Sequence, residues 1–497
     1  MNEAAHDDAA RRAPACTLVI FGASGDLTER KLLPAIRQLA AHYRLRPEFA
    51  LVGVARTAMT DEEWADKCLS GDGAQAQGQA QAGPAPEWAP KASFRYVSGG
   101  YDDPDTYHRL GEVLADCDRA LGTKGQHVFY LATPPRLFGT IAVQLGRSSL
   151  NGGGAGDWPR LVIEKPFGWD EPSARSLYVD ISASFAESQI FRIDHYLAKD
   201  TVQNTLALRF SNSIFEPIWN RTLVQGIQIT VAEELGVQNR AGYYDQAGAL
   251  RDMVQNHVLQ VLALVTMEPP LTFDATDIRS AKLEALRAVQ PLDPFQAVRG
   301  QYAGYRQEEG VARASRRETY AAARISVESW RWEGVPILVR TGKSLRRRGT
   351  EVVVRFRDAP HLRLGGRRQP GIPTLLVIRV QPQEGITIRI GAKLPGASFE
   401  IVPAGLRLEY AALAPEPLPD AYENVLSEVL AGDHGVFPSA AEIERSWEIV
   451  EPLIQAWEAD GHPEPYPKGS WGPAGADDLI ASAGGGRWLN AGDEPGT

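Results

Sequence analysis

The rhythm of apolar residues along this chain changes near residue 193. Before that point, short continuous apolar runs at 17–21, 50–55, 126–132 and 161–164 are separated by stretches that repeat their apolar positions every three or four residues. Such runs read as strands buried on both faces and the stretches between as helices, the alternation that builds a parallel sheet. Beyond residue 193, the runs 226–231, 323–327, 352–356 and 375–380 alternate apolar with polar residues, and few helical stretches stand between them. That pattern predicts a mainly antiparallel sheet. The expected architecture is an α/β, doubly wound Rossmann domain over 15–192, preceded by a disordered tail at 1–14. An α+β domain with a large, mainly antiparallel sheet follows over 193–497.

The first run ends in Gly22-Ala23-Ser24-Gly25-Asp26-Leu27-Thr28, and a helical pattern continues to about residue 41. Strand, glycine turn and helix open a dinucleotide-binding fold: Gly22 permits the turn, Gly25 lets backbone approach a pyrophosphate, and the helix N-terminus receives its charge. Thr28 stands where a third glycine is usual, so a purely structural turn fits the motif as well. The second run leads into Arg56, where an acidic residue would grip ribose hydroxyls. An arginine there suits a 2′-phosphate and favours NADP, although it also suits a solvated strand end.

Composition narrows the class. With 43% apolar and 23% charged residues the chain has the makings of a large core. A net charge of −10 argues against nucleic acid as a partner and requires a local positive pocket for any anionic substrate. No apolar run approaches bilayer length and the N-terminal stretch lacks a secretory segment, so a cytoplasmic protein without membrane contact is expected. Cys16, Cys68 and Cys117 are too few and scattered for a disulfide framework, and no Cys/His cluster suggests a metal. Residues 71–86 and 151–156 are low in complexity and read as surface insertions.

Candidate chemistry concentrates in Arg-Ile-Asp-His-Tyr-Leu-Ala-Lys-Asp-Thr-Val-Gln-Asn at 192–204. In helical geometry His195 and Lys199 would share a face, flanked by Tyr196, and offer a ring and a cation to one anion. A solvated amphipathic helix is the plainer account. In Glu-Lys-Pro-Phe-Gly at 164–168, Lys165 closes a strand and would point into the crevice of a Rossmann fold, with Pro166 fixing the turn. Later, Glu233 closes another strand. Asp252 and His257 lie on a predicted helix, where five residues rotate by about 140° and turn them apart. Lys343 follows Arg340-Thr341-Gly342, and Arg348 ends a run of three arginines that reads most simply as a solvated loop.

Together the 192–204 string, Gly-Ala-Ser-Gly-Asp-Leu-Thr with its Arg-Lys-Leu-Leu-Pro-Ala extension, Glu-Lys-Pro-Phe-Gly, Asp-Met-Val-Gln-Asn-His and Trp-Glu-Gly-Val-Pro resemble the glucose-6-phosphate dehydrogenase family. The blocks occur in the family's order from about residue 17 to 472. The resemblance implies oxidation of the C1 hydroxyl of β-D-glucose 6-phosphate to 6-phosphoglucono-1,5-lactone with NADP⁺, the first step of the oxidative pentose phosphate pathway. It implies His257 as general base and Asp194 as its orienting carboxylate. His195, Tyr196 and Lys199 would hold phosphate, Glu233, Asp252 and Lys343 the sugar hydroxyls, and Lys165 both sugar and nicotinamide. Gly22, Ser24, Gly25, Asp26, Leu27, Arg56, Tyr130, Lys165 and Pro166 would surround the cofactor, with the Lys165–Pro166 bond often cis in similar proteins. No metal is implied, and similar enzymes form homodimers or homotetramers through the sheet domain. Arg348 stands where the family usually has a second substrate lysine, which leaves that role open. Two rivals share part of the pattern: an oxidoreductase of the glucose–fructose type acting on unphosphorylated sugars, and a non-catalytic NADP-responsive binding protein.

Overall fold

The computed structural model describes residues 12–42, 44–70, 93–152, 157–361, 363–364, 367–368, 372–396, 399–413, 420–459, 461–484 and 486–490. The insertion at 71–86 and most of the tail and of 151–156 lie outside them. The chain forms two compact units: Met1–Ala198 with Phe273–Arg279 and Pro419–Ile443, and Lys199–Thr272 with Ser280–Leu418 and Glu444–Thr497.

Unit 1 runs β1 Cys16–Phe21, α1 Leu33–Ala41, β2 Phe49–Ala55, α2 Asp61–Leu69, β3 Phe94–Ser98, α3 Pro104–Leu121, β4 His127–Leu131, α4 Phe138–Arg147, β5 Arg160–Ile163, α5 Glu171–Ser182 and β6 Ile190–Arg192. The strands form one parallel sheet in the order β3-β2-β1-β4-β5-β6, the doubly wound pattern that the sequence rhythm predicts. Every residue of β1, β2, β4 and β5 is buried, which is why these strands read as unbroken apolar runs. Helix boundaries follow local chemistry. Thr60 and Glu63 close a capping box at the start of α2, and Asp103 with Pro104 starts α3, which stops at the left-handed Gly122.

A late segment completes this unit. Val425, Leu426, Val429 and Leu430 of the helix Ala421–Ala431 join the core of β1, β2 and α1. Each such side chain contributes roughly 1.5–3 kcal/mol on burial. The buried Arg160 donates to the carbonyls of Val429 at 2.6 Å and Leu430 at 2.8 Å, with its guanidinium 3.7 Å from the centre of the Trp158 ring.

Unit 2 is built on a mixed, mainly antiparallel sheet. Its strands are β7 Val224–Ala232, β8 Ala297–Tyr302, β9 Tyr320–Ile325, β10 Ile337–Gly342 and β11 Gly349–Phe356. A short ribbon of β12 Arg363–Leu364 and β13 Arg367–Arg368 precedes β14 Leu375–Gln381, β15 Gly385–Lys393, β16 Ile401–Glu409 and β17 Glu464–Tyr466. The order of the nine-stranded sheet is β16-β15-β14-β11-β7-β10-β9-β8-β17, with β7/β10 and β8/β17 parallel. More helix intervenes than the alternation suggests, because Leu259–Thr266 is buried all round and so carries no amphipathic period.

Candidate active site

The glycine turn of unit 1 is a main-chain cradle. Gly22 has φ +89°, and a Cβ there would lie 2.3 Å from the carbonyl oxygen of Ala132, so no side chain fits. Gly25 N–H donates to Gly22 O at 2.9 Å, and a Cβ on Gly25 would meet that oxygen at 3.1 Å. The departure at Thr28 has a reason: its buried hydroxyl donates to the same carbonyl at 3.0 Å and ties the helix start to the turn. Backbone this open, at the carboxyl end of β1 and the start of a helical segment, fits the pyrophosphate of a dinucleotide.

The other cofactor candidates of unit 1 divide by exposure. Ser24 and Thr57 hydroxyls lie 3.1 Å apart, exposed Asp26 pairs with Arg30 at 2.7 Å, and Leu27 packs against the unit's core. Arg56 is exposed just beyond β2. Burial pushes the Tyr101 phenol up, opposed by the nearby Arg56 charge and a hydrogen bond with Gly22 backbone, so Tyr101 stands beside the cradle although nothing in the sequence singles it out. Tyr130 is fully buried, and its hydroxyl donates to Glu164 at 2.6 Å, so it braces the residue before Lys165. Burial also pushes the Glu164 carboxyl up, against hydrogen bonds from Tyr130 and Tyr422. The Lys165–Pro166 bond is cis, as expected.

Residues 194–198 are not helical, and the shared helical face expected for His195 and Lys199 does not form. The buried Asp194 carboxylate accepts the Tyr196 N–H at 2.9 Å, and such a side-chain acceptor stabilises a turn in competition with helix. The helix Asp200–Phe210 begins later, with Lys199 extended at its N-cap (φ −78°, ψ 131°). His195 and Tyr196 therefore end unit 1, their rings 5.1 Å apart, and Lys199 opens unit 2.

In unit 2 the candidates collect at one end of the sheet because of strand register. Gly342 pairs with Ala232 across the parallel β10/β7 ladder, which sets Lys343 beside Glu233, and the two form an ion pair. The Lys343 ammonium also lies 5.2 Å from the centre of the Tyr244 ring. Gly349 pairs with the same Ala232 from the antiparallel side, bringing Arg348 to this end, and Thr350 pairs with Gln381 of β14. The Gln381 amide oxygen accepts from Arg348 at 3.0 Å and from Lys199, while its nitrogen donates to Thr350 at 3.0 Å. One uncharged amide thus holds two cations side by side. A glutamine at a strand end gives no sequence signal of that role.

Asp252 and His257 lie on a π-helix, Leu250–Val258, not an α-helix. Bonds from i to i+5 align residues five apart much as residues four apart align in an α-helix, so the expected 140° divergence does not apply and the pair shares a face. Both are buried, at 3% and 1% exposure. The segment is set off from the helix Ala241–Ala249 by Gly248 (φ +71°), and buried Glu318 accepts the Leu250 N–H at 3.1 Å. Burial pushes the Tyr243 phenol up, reinforced by the adjacent Asp252 carboxylate. Burial likewise raises the Tyr244 phenol, reinforced by Asp252 and Glu233. Unit 2 therefore joins an imidazole, two carboxylates, a lysine and two phenols, donors and acceptors suited to a polyhydroxylated ligand and to proton transfer.

Residues 19–204 match the family described as "Glucose-6-phosphate dehydrogenase, NAD binding domain" and residues 206–489 match "Glucose-6-phosphate dehydrogenase, C-terminal domain". Glucose-6-phosphate 1-dehydrogenase 2 of Mycobacterium tuberculosis is 42% identical over 95% of this chain and 94% of its own. Glucose-6-phosphate 1-dehydrogenase of Bacillus subtilis is 39% identical over 95% and 98%. Among solved structures, glucose-6-phosphate 1-dehydrogenase from Mycobacterium avium superposes with a TM-score of 0.84 at 34% identity, covering 96% of this chain and 99% of that one. A glucose-6-phosphate dehydrogenase in complex with glucose 6-phosphate gives 0.85 at 32% identity, covering 97% and 99%. With both halves of the chain matched by the family's two domains and relatives about 40% identical over nearly its whole length, the chain belongs to the glucose-6-phosphate dehydrogenase family.

Proposed function

We propose that this protein oxidises the C1 hydroxyl of β-D-glucose 6-phosphate to 6-phosphoglucono-1,5-lactone with NADP⁺ as acceptor. The observation that carries the reading is the shared face of buried Asp252 and His257, on a π-helix whose Asp252 stands with Glu233 around Tyr244. The cradle of Gly22 and Gly25 fits the cofactor's pyrophosphate, and Arg56, with no acidic residue in its place, suits a 2′-phosphate. Bound there, the cofactor supplies a hydride acceptor at its nicotinamide ring.

The chain's own residues supply the rest. His257 takes the C1 hydroxyl proton, since a neutral imidazole accepts protons near neutral pH. Asp194 is assigned as the carboxylate that fixes the imidazole's tautomer and stabilises its protonated form. Asp252, Glu233 and Lys343 hold sugar hydroxyls. Lys199 meets the phosphate with His195 and Tyr196, and Arg348 stands with Lys199 on Gln381 as a second cation. Lys165 addresses both sugar and nicotinamide. Among the described residues no helix is long and apolar enough to cross a membrane. A cytoplasmic homodimer or homotetramer completes the reading, and the exposed Leu406 and Leu408 of β16 give the sheet unit an apolar outer strand for such an assembly.

Absorbance at 340 nm, followed with glucose 6-phosphate and NADP⁺ or NAD⁺ in turn, tests substrate and cofactor together. Growth of the signal with NADP⁺ is expected. Equal efficiency with unphosphorylated glucose would favour the sugar-oxidoreductase rival and leave Lys199 without its ligand.

A further inference from the structure

Unit 2 contains a cavity of about 260 Å³ that the proposed reaction does not use. Four arginines line it: Arg251 from the first turn of the π-helix, Arg299 from β8, and Arg316 and Arg317 from the loop before β9. Trp457 and Glu458 close it from the C-terminal part of the helix Ala440–Ala459. The space is more than one phosphate group needs.

Two of the three carboxylates at this cavity are tied to the chain around it. Asp245 accepts hydrogen bonds from the Tyr305 hydroxyl at 3.0 Å, the Ala312 N–H at 3.1 Å and the Ser315 hydroxyl, and so secures the loop. Buried Glu318 caps the π-helix through Leu250 and stays 3.9 Å from Arg317 as a fixed neighbour. Glu458 is different. Its side chain is 51% exposed, and it reaches Arg251 at 2.8 Å and Arg317 at 3.6 Å, where a solvated anion could exchange with it.

We infer that this cavity is a second anion site, taking a phosphate group on a small organic body, with Glu458 as the resident carboxylate that the phosphate displaces from Arg251 and Arg317. Arginine forks match phosphate oxygens in pairs. Arg299, 5.8 Å from the centre of the Trp457 ring and donating to the Trp457 carbonyl, sets that indole at the cavity as the surface for the organic part. Because Arg251 directly precedes Asp252, an occupied site pins the start of the π-helix.

The test is calorimetric titration of the full chain carrying Arg56→Ala and Lys199→Ala, which mute the phosphate contacts proposed for cofactor and substrate. The probes are inorganic phosphate and phenyl phosphate. Both should bind, phenyl phosphate about tenfold more tightly. Adding Arg317→Gln or the more exposed Arg316→Ala should weaken both about tenfold. Glu458→Gln should tighten both severalfold, a gain that misfolding cannot mimic. Hydrogen exchange at 250–258 should slow with phenyl phosphate and not in Arg317→Gln. Absence of binding, affinities indifferent to Arg316 and Arg317, or a loss with Glu458→Gln would overturn the site, and equal affinity for the two probes would overturn the organic body. Turnover of glucose 6-phosphate by the unaltered chain is measured separately, so failure of the proposed reaction and failure of this site are distinguishable.

Discussion

In unit 1 the proposed binding surface is main chain: two glycines from one short turn, held by hydrogen bonds to and from Gly22, make a cradle with no room for a side chain at Gly22. In unit 2 it is side chain, gathered from residues as distant in sequence as Lys199, Glu233, Asp252, Lys343, Arg348 and Gln381. A backbone site tolerates almost any change around it except at the positions that must stay bare. A side-chain site can lose members singly, and each loss has its own size and signature. The first kind suits a ligand part common to many enzymes. The second suits the part that distinguishes one substrate from another.

Substitutions should break the two units in different ways. The largest effect is expected at His257: replacement by Asn should lower kcat roughly 10²- to 10⁴-fold with KM for glucose 6-phosphate little changed, read from initial rates at 340 nm. Full turnover in that variant would remove the imidazole from the chemistry. Lys199→Ala should leave the fold intact and weaken glucose 6-phosphate binding about ten- to a hundredfold, the cost of one charge-assisted phosphate contact, measured by equilibrium titration without cofactor. An unchanged affinity would move the phosphate elsewhere.

For unit 1, Gly22→Ala forces a side chain into a left-handed backbone 2.3 Å from a carbonyl oxygen. A strain of about 1–3 kcal/mol should appear as a roughly five- to 150-fold loss of cofactor affinity, with substrate affinity spared. A parallel loss of both would mean that the damage is not confined to the cradle.

The smallest effect concerns pH. His434, stacked on Phe191 at 4.0 Å and donating to Ser188 O at 2.9 Å, has its pKa pushed down from 6.5 to about 4 by burial and the nearby Arg279 charge. Below about 6.5 the unfolded chain therefore binds this proton more readily than the folded one, and unit 1 loses stability as pH falls toward about 4. Glu428, pushed up to about 6 by burial, acts in the opposite direction as pH falls from about 6 to 4.5. His434→Phe isolates the histidine: its thermal midpoint should fall less steeply between pH 6.5 and 4 than that of the unaltered chain. Identical slopes would dismiss the ring as an acid-sensitive element.

Much of this was legible in the residues themselves, because the relevant physics is local. Fully buried strands wrote themselves as apolar runs, Gly22 and Gly25 flanked the turn they make possible, and Glu-Lys-Pro marked the end of β5. Other features depend on distant partners. The turn at 194–198, where Asp194 accepts from Tyr196 N–H with its carboxylate and from Leu197 N–H with its carbonyl, replaces a helical-looking spacing, and the π-helix changes which residues align without changing composition. Gln381 owes its position to the β11/β14 register, and Tyr130 bonds a carboxylate just beyond the neighbouring strand. The return of Pro419–Ile443 to unit 1 has no local signature.

That return also orders events at the ribosome. The helix Ala421–Ala431 and the acceptors of Arg160 emerge roughly 220 residues after Ala198, an interval of roughly 10–45 s at ordinary rates of synthesis. Throughout that delay the nascent dinucleotide unit exposes apolar surface on α1 and keeps an arginine without its carbonyl acceptors, a natural client for a holding chaperone. An excised fragment ending near residue 204 inherits the same defect permanently.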